Sequence, residues 1–450
     1  MGKLFGTDGI RGVANVEPMT AETALQVGRA VAHLFKRAGH RAKIVVGKDT
    51  RISGYMLEEA MVAGVCSMGG DAYLLGPLPT PGIAMMTQSQ RADAGIVISA
   101  SHNPFQDNGI KIFAGNGFKL PDEREHELEE LMAGQKLSGH LPAPHDLGKA
   151  YRVDDAEGRY IVFLKNTFPK ELSLEGMKIV LDCAHGATYK VAPHVFWELG
   201  AEVHSININP DGYNINHNCG ALYTAHLAEA VIRENAALGL AFDGDGDRLI
   251  AVDEQGARIT GDQIVALCAC SLQKERKLKN STVVTTVMSN SGLSMAFKDL
   301  GIKHVRSNVG DRYVLEDMLA HGALLGGEDS GHIIFLEHHT TGDGIISGLQ
   351  LIAAMLKEGK PLSELAALVP INPQVLLNVD VKSTPDLSTL PEVQTVIDSI
   401  ERELGDSGRV LVRYSGTQQL CRVMVEAPTK DMTEGYCKRI ADVVQKHLGY

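Results

Sequence analysis

The segment FDGDGDRLIAV spaces three carboxylates, Asp243, Asp245 and Asp247, at every second residue. In an extended stretch such residues project to one side of the chain. Two carboxylates about 4 Å apart repel by about 4 kcal/mol at an effective dielectric of ~20, so the cluster must take up a proton or bind a cation. Hard oxygen ligands between glycine spacers suit Mg2+ or Ca2+ and disfavour zinc. A calcium EF-hand loop is a rival reading, because Ile250 and Glu254 fall at its eighth and twelfth positions. Against it, Arg248 stands where that loop needs a sixth-position Gly, and strand-like sequence flanks the segment. Asp247 likewise replaces the Thr of an aspartyl-phosphate D-x-D-x-T pattern, and a solvated acidic turn is the remaining alternative.

A second segment, ISASHNPFQDNGIKIF, sets Ser101, His102, Asn103 and Pro104 just after a buried-looking strand, where open α/β sheets place ligands. Ser101 has no G-x-S-x-G elbow, and an adjacent His does not naturally face its neighbour's hydroxyl, so a phosphate-carrying serine competes with a plain hydrogen-bonded turn. Lys111 follows as a cation for such a phosphate. In GGEDSGH, Glu328 and Ser330 between glycines suit sugar hydroxyls or form a capped turn. In RYSGT, Arg413, Ser415, Gly416 and Thr417 combine guanidinium, hydroxyl and backbone N–H donors of the kind that bind phosphate, with a β-turn as the alternative. Arg11 in GTDGIRG and Lys48, Asp49 and Arg51 in GKDTR read as ordinary solvated loop charges when taken alone. His338 and His339 lack metal-ligand spacing.

Strand and helix patterns alternate around these segments, which favours α/β architecture with largely parallel sheets. Ala21 to Gly39 reads as a helix, Ala42 to Gly47 as a strand, Tyr55 to Met68 as a helix and Gly95 to Ser99 as a strand. The stretch GQKLSGHLPAPHDLGK, residues 134–149, marks a boundary, followed by a helix through Tyr160. The last ~80 residues read as β, α, β, β, α, a smaller domain of another plan. The preceding α/β units repeat one pattern, so internal triplication is suspected.

The 450 residues are 44% hydrophobic and 22% charged, which excludes wholesale disorder and low-complexity readings. A net charge of −12 without a Lys/Arg run excludes a general polyanion binder. The seven scattered cysteines read as small core residues in a reducing compartment. No apolar run approaches a membrane span, and the start is unlike a signal peptide, so the expected location is the cytoplasm.

In this order and over essentially the whole chain, GTDGIRG, SASHNP with NGIK, DGDGDR, GEDSGH and RYSGT resemble the α-D-phosphohexomutases. GTDGIRGVAN and ISASHNPFQDNGIKIF are similar to their bacterial glucosamine branch. The resemblance implies three similar α/β domains with mixed sheets, here residues 1–148, 149–254 and 255–368, and a smaller α+β C-terminal domain, 369–450, around a central cleft. It implies that Ser101 is carried as phosphoserine and that Asp243, Asp245 and Asp247 hold one Mg2+ together with the Ser101 phosphate. Glu328 and Ser330 would grip sugar hydroxyls, and Arg413, Ser415, Gly416 and Thr417 the non-reacting phosphate. Arg11, His102, Lys111 and Arg248 would line the transfer site, with Lys111 or His102 moving the hydroxyl proton.

The implied activity is interconversion of glucosamine 6-phosphate and glucosamine 1-phosphate through a 1,6-bisphosphate, feeding UDP-N-acetylglucosamine synthesis. Phosphomannomutase or phosphoglucomutase chemistry shares these segments, and a non-catalytic Ca2+ or sugar-phosphate sensor is the alternative from another class. The expected partners are the hexosamine phosphate and the bisphosphate, with no nucleic acid or membrane, and a homodimer by base rate. One departure stands out: where the family's last motif continues S-G-T-E-P, Gln418 and Gln419 follow Thr417.

Overall fold

Apolar runs ending in Gly or polar residues become strands, and the amphipathic segments between them become helices. The computed structural model describes all residues except 1–3, 7, 134–136 and 416–418. It divides into two compact units, Met1–Met288 with Ile302–Ala367, and Ser289–Gly301 with Leu368–Tyr450.

The first unit holds three sheets. One contains β1 (Ile10–Val13), β2 (Lys43–Lys48), β3 (Asp71–Pro77), β4 (Ala94–Ile98), β5 (Asp107–Ala114) and β6 (Ala150–Arg152), ordered β1-β5-β4-β2-β3-β6. The next contains β7 (Lys178–Asp182), β8 (Glu202–Ile206), β9 (Leu238–Phe242), β10 (Leu249–Asp253) and β11 (Arg258–Ile259), ordered β11-β10-β9-β7-β8. The third contains β12 (Thr282–Thr286), β13 (Lys303–Ser307), β14 (Leu325–Gly327) and β15 (Ile333–Phe335), ordered β13-β12-β14-β15.

The three sheets repeat one topology. In each, a first strand lies parallel to the next two, β2 with β3 and β4, β7 with β8 and β9, β12 with β13 and β14. In each, the third of these strands then turns back into an antiparallel hairpin, β4–β5, β9–β10 and β14–β15. The suspected triplication is therefore a repeated connectivity. The loops carrying Ser101, the three aspartates and Glu328 occupy the same place in each repeat, the connection within that hairpin.

The differences from the sequence reading have physical causes. β1 was expected as polar loop, yet its backbone finds partners at the antiparallel edge of β5, a long-range pairing that no local pattern announces. The residues before Tyr160 begin not as helix but as β6, which pairs with β3 and completes the first sheet beyond residue 148. A helix at Asp311–His321 had no sequence expectation; its first turn carries Asp311, which faces the candidate site.

The second unit packs β16 (Gln374–Asp380), β17 (Arg409–Tyr414) and β18 (Leu420–Glu426), ordered β16-β18-β17 and all antiparallel, against the helices Pro391–Leu404 and Lys430–Leu448. Its core is Val393, Ile400, Val423, Val425, Ile440 and Val444 with their neighbours. The β, α, β, β, α order is as expected from sequence. All seven cysteines are free. Among the described residues no helix is long and apolar enough to cross a membrane.

Candidate active site

Parallel neighbours end on the same sheet edge, so the loops after β2 and β4 meet there, and hydrogen bonds then join them to loops of the other two sheets. The Ser101 backbone adopts φ +51°, a left-handed conformation that costs a non-glycine residue about 1–3 kcal/mol. Buried to 2% exposure, Ser101 donates from Oγ to Asp243 Oδ2 at 2.6 Å. Gly244 is required beside it: a Cβ there would lie 2.6 Å from the Ser101 carbonyl oxygen. The left-handed turn also brings His102 Nδ1 to 3.3 Å from Ser101 Oγ, although adjacent side chains were not expected to face each other. Burial, and then the charge of Arg248, push the His102 imidazole down to about 4, so it is neutral near pH 7.

Asp243, Asp245 and Asp247 are buried and each offers a carboxylate oxygen within 4.8 Å of the others. The hairpin brackets them between strands, and Glu254 instead holds Ser363 through its backbone N–H and hydroxyl, which removes the EF-hand reading. Asp245 is fixed by Thr80, whose hydroxyl donates to Oδ2 at 2.7 Å. Burial, reinforced by the Asp247 and Asp245 charges, raises the Asp243 carboxyl well above the usual range. Burial alone would also raise Asp247, but Lys111 and His332 outweigh it and hold that carboxyl low. The second oxygens of Asp245 and Asp247, both Oδ1, are buried and accept no hydrogen bond. Three hard, converging donors with unsatisfied oxygens fit a divalent cation of the Mg2+ class.

Cations surround this anionic centre. Lys111 Nζ lies 3.2 Å from Asp245, 3.5 Å from Asp247 and 3.6 Å from Asp8. Burial would favour its neutral form, but these three carboxylates more than reverse that, so Lys111 is held in its positively charged form. Arg248 donates its backbone N–H to Asp243 Oδ1 at 3.2 Å, and its buried Nε makes no hydrogen bond. Arg11 pairs with Asp8. The third hairpin joins them: Leu249 N–H donates to Gly331 O at 3.0 Å, and Arg248 bridges to His332. Glu328 accepts from Gly310 N–H at 3.1 Å and from Ser330 Oγ at 3.3 Å. Thus Ser101, His102, Lys111, Arg11, Arg248, the aspartates, Glu328 and Ser330 come together in one unit.

Several members were not singled out from sequence. Asp8 is held well below the usual carboxylate range because Lys111, Lys119 and Arg11 outweigh its burial. Lys119 bridges Asp8 at 2.8 Å and Asp311 at 2.5 Å, and His332 lies 3.6 Å from Asp247 and 3.8 Å from Asp311. Asp8 and His332 sit inside the GTDGIRG and GEDSGH segments and could have been drawn from them; Lys119 and Asp311 carry no such signal. Beside them lies a cavity of about 480 Å³ lined by Lys119, Asp311, Arg312 and His332. A larger cavity, about 1070 Å³, is rimmed by Glu17, Glu22, Glu123, Glu129 and Glu130, the wrong sign for an anionic ligand. Lys48, Asp49 and Arg51 are not solvated loop charges: all three are buried.

In the second unit, Arg413 and Arg422 are direct partners on β17 and β18, so their side chains share a face. Burial and the Arg422 charge lower the Arg413 guanidinium. Two adjacent guanidinium groups present charged donors of the kind that bind phosphate. Gly416, Thr417 and Gln418 lie outside the described residues, while Gln419 Oε1 accepts from Tyr450 OH at 3.1 Å. Arg422→Ala is expected to raise KM for a sugar phosphate about tenfold while changing kcat little, by loss of one charge-assisted hydrogen bond; steady-state kinetics on the folded variant check this.

Family models of known proteins match the chain in four successive segments. Phosphoglucomutase/phosphomannomutase family models match residues 2–138 and 158–256 as alpha/beta/alpha domains I and II, 260–371 as domain III and 376–443 as the C-terminal domain. The chain belongs to this phosphohexomutase family. Within it, this phosphohexomutase groups with bacterial phosphoglucosamine mutases: that of Syntrophus aciditrophicus is 65% identical over 449 residues, with 100% of both chains covered. That of Syntrophobacter fumaroxidans is 62% identical with the same coverage. The phosphohexomutase is accordingly an isomerase that moves a phosphoryl group. Among solved structures, a phosphoglucomutase/phosphomannomutase family protein of Burkholderia thailandensis superposes with a TM-score of 0.81 at 22% identity, over 100% of this chain and 99% of the other. An Aspergillus fumigatus N-acetylphosphoglucosamine mutase in complex with GlcNAc-6P and magnesium gives 0.67 at 18% identity, over 98% and 95%.

Proposed function

We propose that the protein interconverts glucosamine 6-phosphate and glucosamine 1-phosphate by way of phospho-Ser101. The observation that carries this reading is the 2.6 Å contact of Ser101 Oγ with Asp243, beside two further aspartates, Lys111 and Arg248. In the first transfer the P–Oγ bond of phospho-Ser101 breaks as O1 of glucosamine 6-phosphate bonds to phosphorus, giving the 1,6-bisphosphate. After the bisphosphate turns end for end, Ser101 Oγ takes the 6-phosphoryl group and releases glucosamine 1-phosphate.

A Mg2+ held by Asp243, Asp245, Asp247 and the phosphoryl group on Ser101 would supply charge neutralisation of the transferring oxygens. Lys111 and the Arg248 guanidinium, whose Nε lies 3.8 Å from Asp247, supply fixed positive charge to the same oxygens. Lys111 or His102, the latter 3.3 Å from Ser101 Oγ, would move the hydroxyl proton. Glu328 and Ser330 would hold sugar hydroxyls, and Arg413, Arg422, Ser415, Gly416 and Thr417 the non-reacting phosphate. A fungal fold relative was solved with GlcNAc-6P and magnesium, which supports a hexosamine phosphate and a divalent cation as the ligand classes. The same reading keeps four domains, with the first two boundaries moved past Arg152 and Ile259, where their sheets end, and the third at 368, together with a cytoplasmic location, no nucleic-acid partner, and a homodimer.

Coupled assays with glucosamine 1-phosphate, glucose 1-phosphate and mannose 1-phosphate test the substrate. The expected kcat/KM for the glucosamine ester exceeds the others by at least roughly tenfold; equal values would return the protein to the phosphomannomutase/phosphoglucomutase reading.

A further inference from the structure

A serine held at φ +51° keeps its side-chain direction only if its peptide groups are held too. Two side chains from different sheets do this. Arg51, in the loop after β2, is fully buried. It donates from Nη2 to the carbonyls of Ser101 (2.9 Å) and Asn103 (2.8 Å), and from Nη1 to those of Asp107 (3.1 Å) and Pro104. Its Nε is anchored on Asp49 Oδ2 at 2.8 Å; the same carboxylate oxygen accepts from Ser99 Oγ, which in turn accepts the Ser101 N–H at 2.9 Å. From the loop after β8, Asn216, 8% exposed, donates Nδ2 to the same two carbonyls, Ser101 at 2.8 Å and Asn103 at 3.0 Å. The Ser101 carbonyl therefore receives one guanidinium and one amide donor, and its N–H is tied back to Asp49 through Ser99.

We propose that Arg51 and Asn216 are positioning residues that aim Ser101 Oγ for phosphoryl transfer by gripping the carbonyls of its loop from two sheets. Neither side chain hydrogen-bonds Ser101 Oγ, so the effect passes through the backbone, and orientation rather than substrate binding should suffer when they are removed. This rests on Ser101 being the phosphoacceptor.

The experiment uses the full-length protein with Mg2+. Arg51→Ala is expected to lower kcat roughly 100-fold and Asn216→Ala roughly tenfold, each with KM within about twofold of wild type. Added guanidinium ion should restore part of the Arg51→Ala loss by refilling the cavity, a recovery that general destabilisation does not give. If Arg51→Ala does not fold, Asn216→Ala alone decides. Wild-type kcat in folded Asn216→Ala, or a loss in kcat matched by the loss of folded protein in a thermal melt, overturns the proposal. Ser101→Ala, run in parallel, separates the two readings: retained activity there removes the phosphoserine reading itself, whereas an inactive Ser101→Ala with fully active Arg51→Ala and Asn216→Ala removes only the positioning role.

Discussion

Ser101→Ala is expected to lower mutase turnover by at least roughly four orders of magnitude, because the role proposed for Ser101, carrying the transferred group, cannot be replaced by better binding elsewhere. The fold should survive. Alanine tolerates the left-handed backbone no worse than serine, and the lost hydroxyl makes a single strong hydrogen bond, to Asp243. The stability change should stay within about 2 kcal/mol. A coupled assay together with a thermal melt reads both quantities, and labelled bisphosphate should leave no phosphate on the variant. Turnover above about one per cent of wild type in folded protein would remove Ser101 from the reaction.

Asp243→Asn should separate metal binding from folding. Asn is nearly isosteric: its carbonyl can accept the Arg248 N–H and its amide can donate to Ser101 Oγ. One of three converging carboxylate charges is gone, so Mg2+ affinity should fall by roughly 100-fold or more. The thermal stabilisation expected of the wild type in millimolar Mg2+ should shrink accordingly in the variant.

The metal-free protein behaves oppositely. Burial and the charges of Asp247 and Asp245 raise the Asp243 pKa in the folded state, so folded protein binds more protons there than unfolded protein. Its stability contribution therefore falls as pH rises from the unfolded value of about 4 through the raised folded value. Asn removes that loss, and metal-free Asp243→Asn should be more stable than metal-free wild type at neutral pH. Chelator-treated melts of both proteins at two pH values test the sign. A less stable metal-free variant would mean that the carboxylate is needed for folding rather than for the cation.

Chemistry carried by residues close in sequence was legible before the fold. The i, i+2, i+4 spacing of Asp243, Asp245 and Asp247 places three carboxylates on one side of any extended chain, and the structure keeps them converged. Ser101 with His102, and Glu328 with Ser330, were likewise readable as loop chemistry. Arg51 shows the opposite case. A cation in a Gly-bearing loop reads as solvated, and only the parallel pairing of β2 with β4 brings it beneath the Ser101 loop and out of water.

Local alternation of strands and helices, the acidic triad, the ordered motifs and their resemblance to a family of phosphoryl-transferring isomerases were all readable in the order of the residues. Those properties depend on residue type and short spacing. The tertiary structure alone decided that β1 pairs with β5, that three hairpins in three sheets present their loops in the same topological place, and that Lys119 and Asp311 face each other across 192 residues of chain. The physical reason is that such pairings come from buried backbone groups and charges seeking partners far along the chain, a requirement that neither periodicity nor composition records.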